Sequence, residues 1–230
     1  SYMFKRFISL GALAAALFLT GCATQKQMAL SENPSSPVAT DKAVYLMTAT
    51  IKNSYKTSYQ PKMIVTHIEK DAASSSSDRI NFKPDSIGTL TANAEDGATY
   101  LIRMELENGN YVVRGMSCHA MSFPINGFYF APVHSEFAVK GPGVFYLGHV
   151  NATVRERQGD EFKAGASIPL IDQALAGAST GTFDVQISDR WSKDESLFKT
   201  TFPGLTNASV QKSVLPAFDR QKAQDWWQAH

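Results

Sequence analysis

The segment Thr99–Cys118, TYLIRMELENGNYVVRGMSC, carries the strongest folding signal in the sequence. Alternating apolar and polar residues flank Asn108-Gly109, a pair that accepts the positive φ of a type I′ turn. The pattern predicts a β-hairpin with a two-residue loop, in which Leu106 faces Tyr111 and Met104 faces Val113. The apolar face predicts the core, and its members are Tyr100, Ile102, Met104, Leu106, Tyr111 and Val113.

The opposite face of the predicted hairpin is mixed in character. It carries the polar residues Thr99, Arg103, Glu105 and Arg114. In the same register Met116 and Cys118 also point away from the apolar core face. We expect loops or the late helices to cover this face, so that Cys118 is a buried free thiol rather than half of a disulfide.

Further strands are predicted on both sides of this segment. Ala43–Asn53 and Pro61–Lys70 alternate in hydropathy, and more strands surround the turn at Gly141-Pro142-Gly143 and cover Gly181–Arg190. Many short strands separated by Gly, Pro and Asn turns are typical of a mainly β fold. We predict an immunoglobulin-like or transthyretin-like antiparallel β-sandwich over residues 43–190.

Helix is predicted only late in the chain. Ser192 followed by Glu195 fits a capping box, and Pro203-Gly204 would end that helix. An amphipathic stretch follows from Ser209 to about Gln228. We therefore expect residues 191–230 to form short C-terminal helices that pack on the sandwich.

The first residues have the order of a secretory signal. Lys5 and Arg6 precede a short apolar run, Phe7–Leu19, which is too short to span a bilayer as a helix. The following Leu19-Thr20-Gly21-Cys22 resembles the bacterial lipobox. That resemblance implies a signal peptide over residues 1–21 and a diacylglycerol on the sulfur of Cys22.

The same resemblance implies an address. Ala23 stands where an aspartate would favour retention in the inner membrane, so we expect an outer-membrane lipoprotein that faces the periplasm or the cell surface. Residues 22–42 are polar and contain Pro34-Ser35-Ser36-Pro37. Their composition predicts a flexible tether between the lipid and the folded domain.

Composition narrows the classes of partner. The chain has a formal charge of +1, and the two cationic residues of the signal leave 1 − 2 = −1 on the remainder. Because no basic run is present, we expect no nucleic-acid partner. The expected partners are a membrane, through the N-terminal lipid, and a protein of the envelope. No cofactor is expected.

Three stretches together resemble a known group of proteins. They are ENGNYVV (107–113), FAVKGPGVFYLGHV (137–150) and IPLIDQALAGASTGTFDVQISDRW (168–191). In this order they are similar to DUF2846-like bacterial envelope lipoproteins, over roughly Tyr100–Phe218. The shared features are structural turns, so the resemblance implies a β-sandwich and no catalytic residues.

Candidate chemical sites have weak sequence signals. Gly115–His119, GMSCH, departs from a nucleophile elbow because His119 replaces its second glycine, and adjacent strand residues Cys118 and His119 point apart. Met116, Cys118 and Met121 are candidate soft ligands for Cu(I). The histidines His67, His119, His134 and His149 lie far apart in the sequence. Four acidic residues, Asp184, Asp189, Asp194 and Glu195, fit structural roles.

The sequence thus favours a lipid-anchored binding or assembly module over an enzyme. The alternative is an envelope copper-handling protein or a hydrolase, either of which needs polar side chains that converge in one place. An exposed apolar patch would instead indicate a protein partner.

Overall fold

Two β-sheets pack face to face in the computed structural model, which describes residues 23–73, 75–168 and 170–230. The mainly β fold and the sandwich with short helices are as predicted. The predicted signal peptide and Cys22 lie outside the described residues.

The strands divide into two layers. Sheet A has the order β1-β4-β3-β7-β8, and sheet B has the order β10-β9-β2-β6-β5, with β11 beside β9. Their bounds are β1 Thr24–Gln27, β2 Ala43–Asn53, β3 Lys62–Lys70, β4 Arg79–Lys83, β5 Thr89–Asn93, β6 Gly97–Leu106, β7 Gly109–Ser122, β8 Ile125–Val139, β9 Gly143–Glu156, β10 Gly181–Ser188 and β11 Val210–Lys212. The helices are α1 Leu170–Leu175, α2 Trp191–Thr201 and α3 Arg220–Ala229.

The predicted hairpin at Asn108-Gly109 is wrong in its pairing and right in its apolar face. Strand β6 pairs with β2 and β5, whereas β7 pairs with β3 and β8. The chain therefore crosses from sheet B to sheet A between Leu106 and Gly109. The predicted core residues face one another across the sandwich, because an apolar face can be buried against a second sheet as well as beside a neighbouring strand.

The turn residues explain this crossing. Asn108 is not among the residues of positive φ, and Gly109 has a φ of 155°, so the pair does not form a type I′ turn. The side-chain oxygen of Asn108 accepts a hydrogen bond of 2.8 Å from the backbone of Gly141. Gly141 lies in the next crossing along the chain, from β8 in sheet A to β9 in sheet B. Asn108 thus ties the two crossings together.

An irregularity in β7 changes which residues face the core. His67 and Ile68 of β3 pair with Gly115 and Val113 of β7, so Arg114 is an extra residue in β7 at this point. Tyr111 and Val113 face the inter-sheet core before the shift, and Met116 and Cys118 face it afterwards. The prediction that Met116 and Cys118 share the opposite face is therefore wrong. A bulge re-phases the alternation, and the sequence pattern does not reveal it.

Sheet B is mixed rather than purely antiparallel as predicted. Strand β2 lies antiparallel to β6 and parallel to β9, and β11 also lies parallel to β9. Strand β2 is buried over most of its length because both of its faces are covered. One face of β2 lies in the inter-sheet core. The opposite face packs under α2 and the turn after it, in a second apolar cluster to which neighbouring strands also contribute. Its members are Val44, Leu46, Leu101, Val144, Tyr146, Phe198, Phe202 and Leu205.

The segment after Cys22 is docked on the sandwich instead of forming the predicted flexible tether. Strand β1 pairs with β4, the side chain of Met28 is 3% exposed, and the backbone nitrogen of Ala29 donates to Arg103 at 2.9 Å. Farther along, the carbonyl of Pro34 accepts from Gly204. The polar composition of this segment does not indicate that its backbone binds a buried side chain of the sandwich.

The partner is Arg103, which was predicted on a polar face and is fully buried. Its guanidinium donates to both carboxylate oxygens of Asp85, at 3.0 and 2.6 Å, and its Nε donates to the carbonyl of Ala29 at 2.9 Å. The same group lies 4.2 Å from the ring centre of Phe202. One cation therefore joins the N-terminal segment, the loop before β5 and the end of α2 to sheet B.

We expect Arg103→Met to destabilise the fold by about 3–5 kcal/mol, since it leaves Asp85 and the Ala29 carbonyl without their cation. Urea unfolding measures this loss. Trypsin should also cleave faster after Lys26 and Lys42 once the N-terminal segment is released. The control Arg79→Met removes an exposed cation 3.8 Å from Glu69 and should cost less than about 1 kcal/mol. Equal losses in the two variants would contradict this role of Arg103.

Candidate functional site

An exposed apolar surface, which we call the apolar tip, lies at one end of the sandwich. It combines the end of the β7–β8 hairpin with helix α1 and the residues before it. Phe123 is 93% exposed at the hairpin turn, and Ile171 of α1 is 74% exposed. The tip comprises Met121, Phe123, Phe128, Ile168, Leu170, Ile171 and Leu175. Among the described residues, the one other large exposed apolar side chain is Ile64, on neighbouring strand β3.

Buried polar side chains hold α1 against the start of β8. The side chain of Gln173 is fully buried; it accepts from the Phe128 nitrogen at 2.7 Å and donates to the Phe128 carbonyl at 3.0 Å. Asp172 accepts from the Asn126 backbone, and the carbonyl of Ala176 accepts from Tyr129 at 2.7 Å. These hydrogen bonds fix α1 in place, so that the apolar side chains of the tip are held in an exposed position. Such exposure is unusual for a lone globular domain and indicates a contact surface.

A second arrangement lies on the outer face of sheet A, which we call the Ser117 row. Three adjacent strands contribute Asn81 from β4, His67 from β3 and Ser117 from β7. The Nε2 atom of His67 lies 2.6 Å from the Ser117 hydroxyl, and its Nδ1 atom lies 2.9 Å from the Asn81 side-chain oxygen. His67 and Asn81 are buried and Ser117 is half-buried. Burial lowers the pKa of His67 below its usual value, against the raising effects of the Asn81 hydrogen bond and of Glu69.

A third polar cluster fastens α2 to sheet B. Asp194 is fully buried and accepts hydrogen bonds of 2.6 Å from both Thr48 and Tyr146. Because the Thr48 proton is used in that bond, the Nδ1 of His149 donates to the Thr48 oxygen at 2.8 Å. The Nε2 of His149 then accepts from Arg190 at 3.0 Å. Asp194, Thr48, Tyr146 and His149 thus bond to one another and to Arg190, whose buried Nε alone has no partner among the described residues, and the cluster acts as a structural clamp.

The other acidic residues have structural contacts as predicted. Asp189 accepts from the Trp191 backbone at the start of α2, and Asp184 pairs with Arg155 at 2.9 Å. Glu195 lies 3.9 Å from Lys199. The predicted capping box does not form, since α2 begins at Trp191 without a side-chain cap from Ser192.

The three sulfur atoms proposed as copper ligands do not converge. Met116 and Cys118 are buried in the inter-sheet core, while Met121 is 68% exposed at the apolar tip. Burial also raises the pKa of the Cys118 thiol well above its usual range, which disfavours the thiolate that binds metals. In the described part of the chain, no three His, Cys, Asp or Glu side chains are grouped as a metal site requires.

The local sequence pattern around Ser117 points to His119 and gives no sign that His67 contacts Ser117. The structure places His119 against Asn126 and the ring of Phe128, away from Ser117. Fifty residues separate His67 from Ser117, and nothing in the local pattern links them. The apolar tip was also missed, although Ile168, Leu170 and Ile171 stand together in a segment with little other apolar periodicity.

Comparison with protein-family models, with curated proteins and with solved structures finds no match to this chain. None of the helices in the described residues is long and apolar enough to cross a bilayer. Function is therefore inferred from the geometry of the apolar tip and of the Ser117 row.

Two buried histidines make the fold sensitive to acid. Burial and nearby Arg190 lower the pKa of His149 to about 4, and burial and nearby Arg114 lower the pKa of His134 to about 3. Both pKa values lie near 6.5 in the unfolded chain, so as the pH falls protons bind the unfolded state first. This contribution to stability is complete above pH 6.5 and is lost as the pH falls to about 4 for His149 and to about 3 for His134.

We expect the free energy of unfolding to fall by about 1.4 kcal/mol per pH unit for each of these histidines between about pH 6 and 4.5. Urea melts across this range measure the slope. His134→Asn should reduce the slope by about one proton, and asparagine tolerates the φ of 48° found at this position. A slope unchanged by this substitution would show that His134 does not contribute.

Proposed function

We propose that this protein is a lipid-anchored outer-membrane protein of the bacterial envelope, in which the apolar tip binds an apolar segment of a protein partner. The lipobox-like Leu19-Thr20-Gly21-Cys22 supports the anchor. The exposed, rigidly mounted apolar tip is the observation that carries the binding role. Membership among DUF2846-like lipoproteins belongs to this proposal and is supported by the three sequence stretches alone.

The position of β1 argues for a protein partner rather than the bilayer that holds the anchor. The pairing across sheet A shows which part of β7 lies beside the start of β1. Thr24 pairs with Ile80 of β4, Ile80 pairs with Ile68 of β3, and Ile68 pairs with Val113 of β7. The hairpin turns nine residues farther along, after Ser122. At about 3.3 Å per residue, the start of β1 and the apolar tip are roughly 30 Å apart along the sheet.

Because the segment after Cys22 is docked on the sandwich, the distance between β1 and the apolar tip determines how the tip lies relative to the membrane. Because pairing begins at Thr24, two residues after Cys22, a lipid on Cys22 would hold this end of the sandwich close to its membrane. The tip would then face away from that membrane. Its seven large apolar side chains suit an apolar protein segment, and few charges accompany them: Asp172 is the one ionisable residue of α1.

The copper-handling alternative gains no support from the geometry, since Met116 and Cys118 lie in the core and Met121 lies outside it. The hydrolase alternative has an observation of its own, which is the Ser117 row.

Photocrosslinking in the native host tests the binding role. A photoreactive phenylalanine analogue at Phe123 should form an adduct with one protein, whereas the same analogue at Asn110, exposed at the other end of β7, should not. Ile171→Glu should abolish the adduct, because it places a charge in the apolar contact. A peptide of the crosslinked segment should bind the purified wild-type protein at least 10-fold more tightly than this variant.

Each other outcome contradicts the proposal. Adducts with lipid would assign the tip to a membrane, and adducts with a second copy of the chain would assign it to self-association. An adduct that survives Ile171→Glu, or equal adducts at both positions, would show that the tip is not the contact surface.

The lipid anchor has a separate test. Mass spectrometry of the protein from a bacterial host should find a mature chain that starts at acylated Cys22. Cys22→Ala should leave the signal uncleaved or move the protein to the soluble fraction. A variant that is still processed and firmly membrane-bound would overturn the anchor without affecting the binding role.

A further inference from the structure

The Ser117 row has the hydrogen-bond directions of an activated nucleophile. The Asn81 side-chain oxygen accepts from Nδ1 of His67, which fixes the tautomer and leaves a lone pair on Nε2. That lone pair faces the Ser117 hydroxyl at 2.6 Å, within the range of a nucleophile and its general base. Asn81 and His67 stand opposite each other in the β3–β4 register, so the backbone itself holds this pair.

The Ser117 row also contains a buried polar atom that makes no hydrogen bond among the described residues. The Asn81 side-chain nitrogen is buried and has no hydrogen-bond partner among the described residues. A buried amide without a partner costs about 1–3 kcal/mol, and unpaired groups of this kind call for a functional or structural explanation. Exchanging Asn81 for an apolar residue would remove that cost but release His67.

We propose that Ser117, His67 and Asn81 form a hydrolytic site for carboxylic esters with apolar acyl chains. Ser117 is the nucleophile, His67 is the general base, and Asn81 is a positioning residue for His67. Ser117, His67 and Asn81 all lie outside the apolar tip, so the reacting groups are separate from the proposed protein contact, and the two surfaces share only Phe128.

The surroundings define the substrate class. The base and its positioning residue are buried, whereas Ser117 is half-buried and can be reached from solution. Exposed apolar side chains lie on both neighbouring strands: Ile64 is next to Val65, the β3 partner of Ser117, and Phe128 is two residues before Phe130, its β8 partner. An acyl chain can lie on Ile64 or Phe128 with its carbonyl carbon at Ser117.

The reaction is balanced with water as the second reactant. The Ser117 oxygen bonds to the carbonyl carbon while its proton passes to Nε2 of His67. The carbon–oxygen bond to the alcohol then breaks, and the alcohol leaves with that proton. Water attacks the acyl-serine, gives a proton to His67, and releases the acid as the proton returns to Ser117.

Charges around His67 set the expected pH dependence. Glu69 is the acidic group that acts on His67, and it is itself paired with Arg114 at 3.0 Å and lies 3.8 Å from Arg79. The Ser117 hydroxyl and the Asn81 amide complete its polar surroundings. Because burial outweighs the raising effects of Glu69 and Asn81 and lowers the pKa of His67, we expect reaction rates that stay constant through the usual titration range of histidine and fall only below it.

The test uses the full chain with a fluorophosphonate probe and with p-nitrophenyl butyrate. The probe should modify one residue, Ser117, as located by peptide mass spectrometry. Ser117→Ala should abolish labelling and ester hydrolysis, whereas Ser122→Ala, an exposed serine on the same strand, should retain both. His67→Gln should slow both reactions by about 100-fold or more, as loss of a general base does.

Asn81 has a readout that a purely structural residue would lack. Asn81→Asp places a carboxylate beside Nδ1 and should move the pH profile of labelling to higher pH, while Asn81→Leu should slow labelling about 10-fold or more. Thermal melts establish that each variant is folded, and the wild-type pH profile provides a test that needs no variant. Labelling at another serine, or equal rates for wild type and His67→Gln, would overturn the proposal.

Discussion

A single buried cation holds the periphery of this sandwich to its centre. Arg103 lies in a strand of sheet B, has no exposed surface, and binds Asp85, the backbone of Ala29 and the ring of Phe202. A charge so far from water is stable only when all of these partners are present together. The N-terminal segment, the loop before β5 and the end of α2 are therefore interdependent, and the segment that follows the predicted lipidation site is part of the domain.

Hydropathy alternation predicted which faces are buried far better than which strands are paired. Ile102, Met104, Tyr111 and Val113 were all assigned to the core correctly, although they belong to two sheets rather than one hairpin. Alternation of hydropathy indicates only that one face of a strand is buried, and a second sheet can bury that face as well as a loop can. The shift at Arg114 and the docking of residues 23–42 escaped prediction for the same reason, because each is determined by contacts with distant strands.

The two surfaces with functional potential differ in how far sequence could have revealed them. The apolar tip is made largely of residues within two short segments, so an excess of apolar residues at a turn and a short helix was visible in principle. The Ser117 row joins three strands, and its hydrogen bonds connect residues 14 and 50 positions apart. Ser117 alone resembled an incomplete motif; the base and its positioning residue became apparent only through the order of strands in sheet A.

The order of strands in sheet B has a consequence for how the chain is made. Strand β2 is flanked by β6 and by β9, and its contact between Thr48 and His149 joins residues 101 positions apart. A ribosome adding about 5–20 residues per second needs roughly 5–20 s to make that interval. Throughout it, β2 lacks one neighbour, and non-local pairing of this kind also folds slowly. The apolar side chains of β2 therefore stay accessible to chaperones in the nascent polypeptide until β9 has been made.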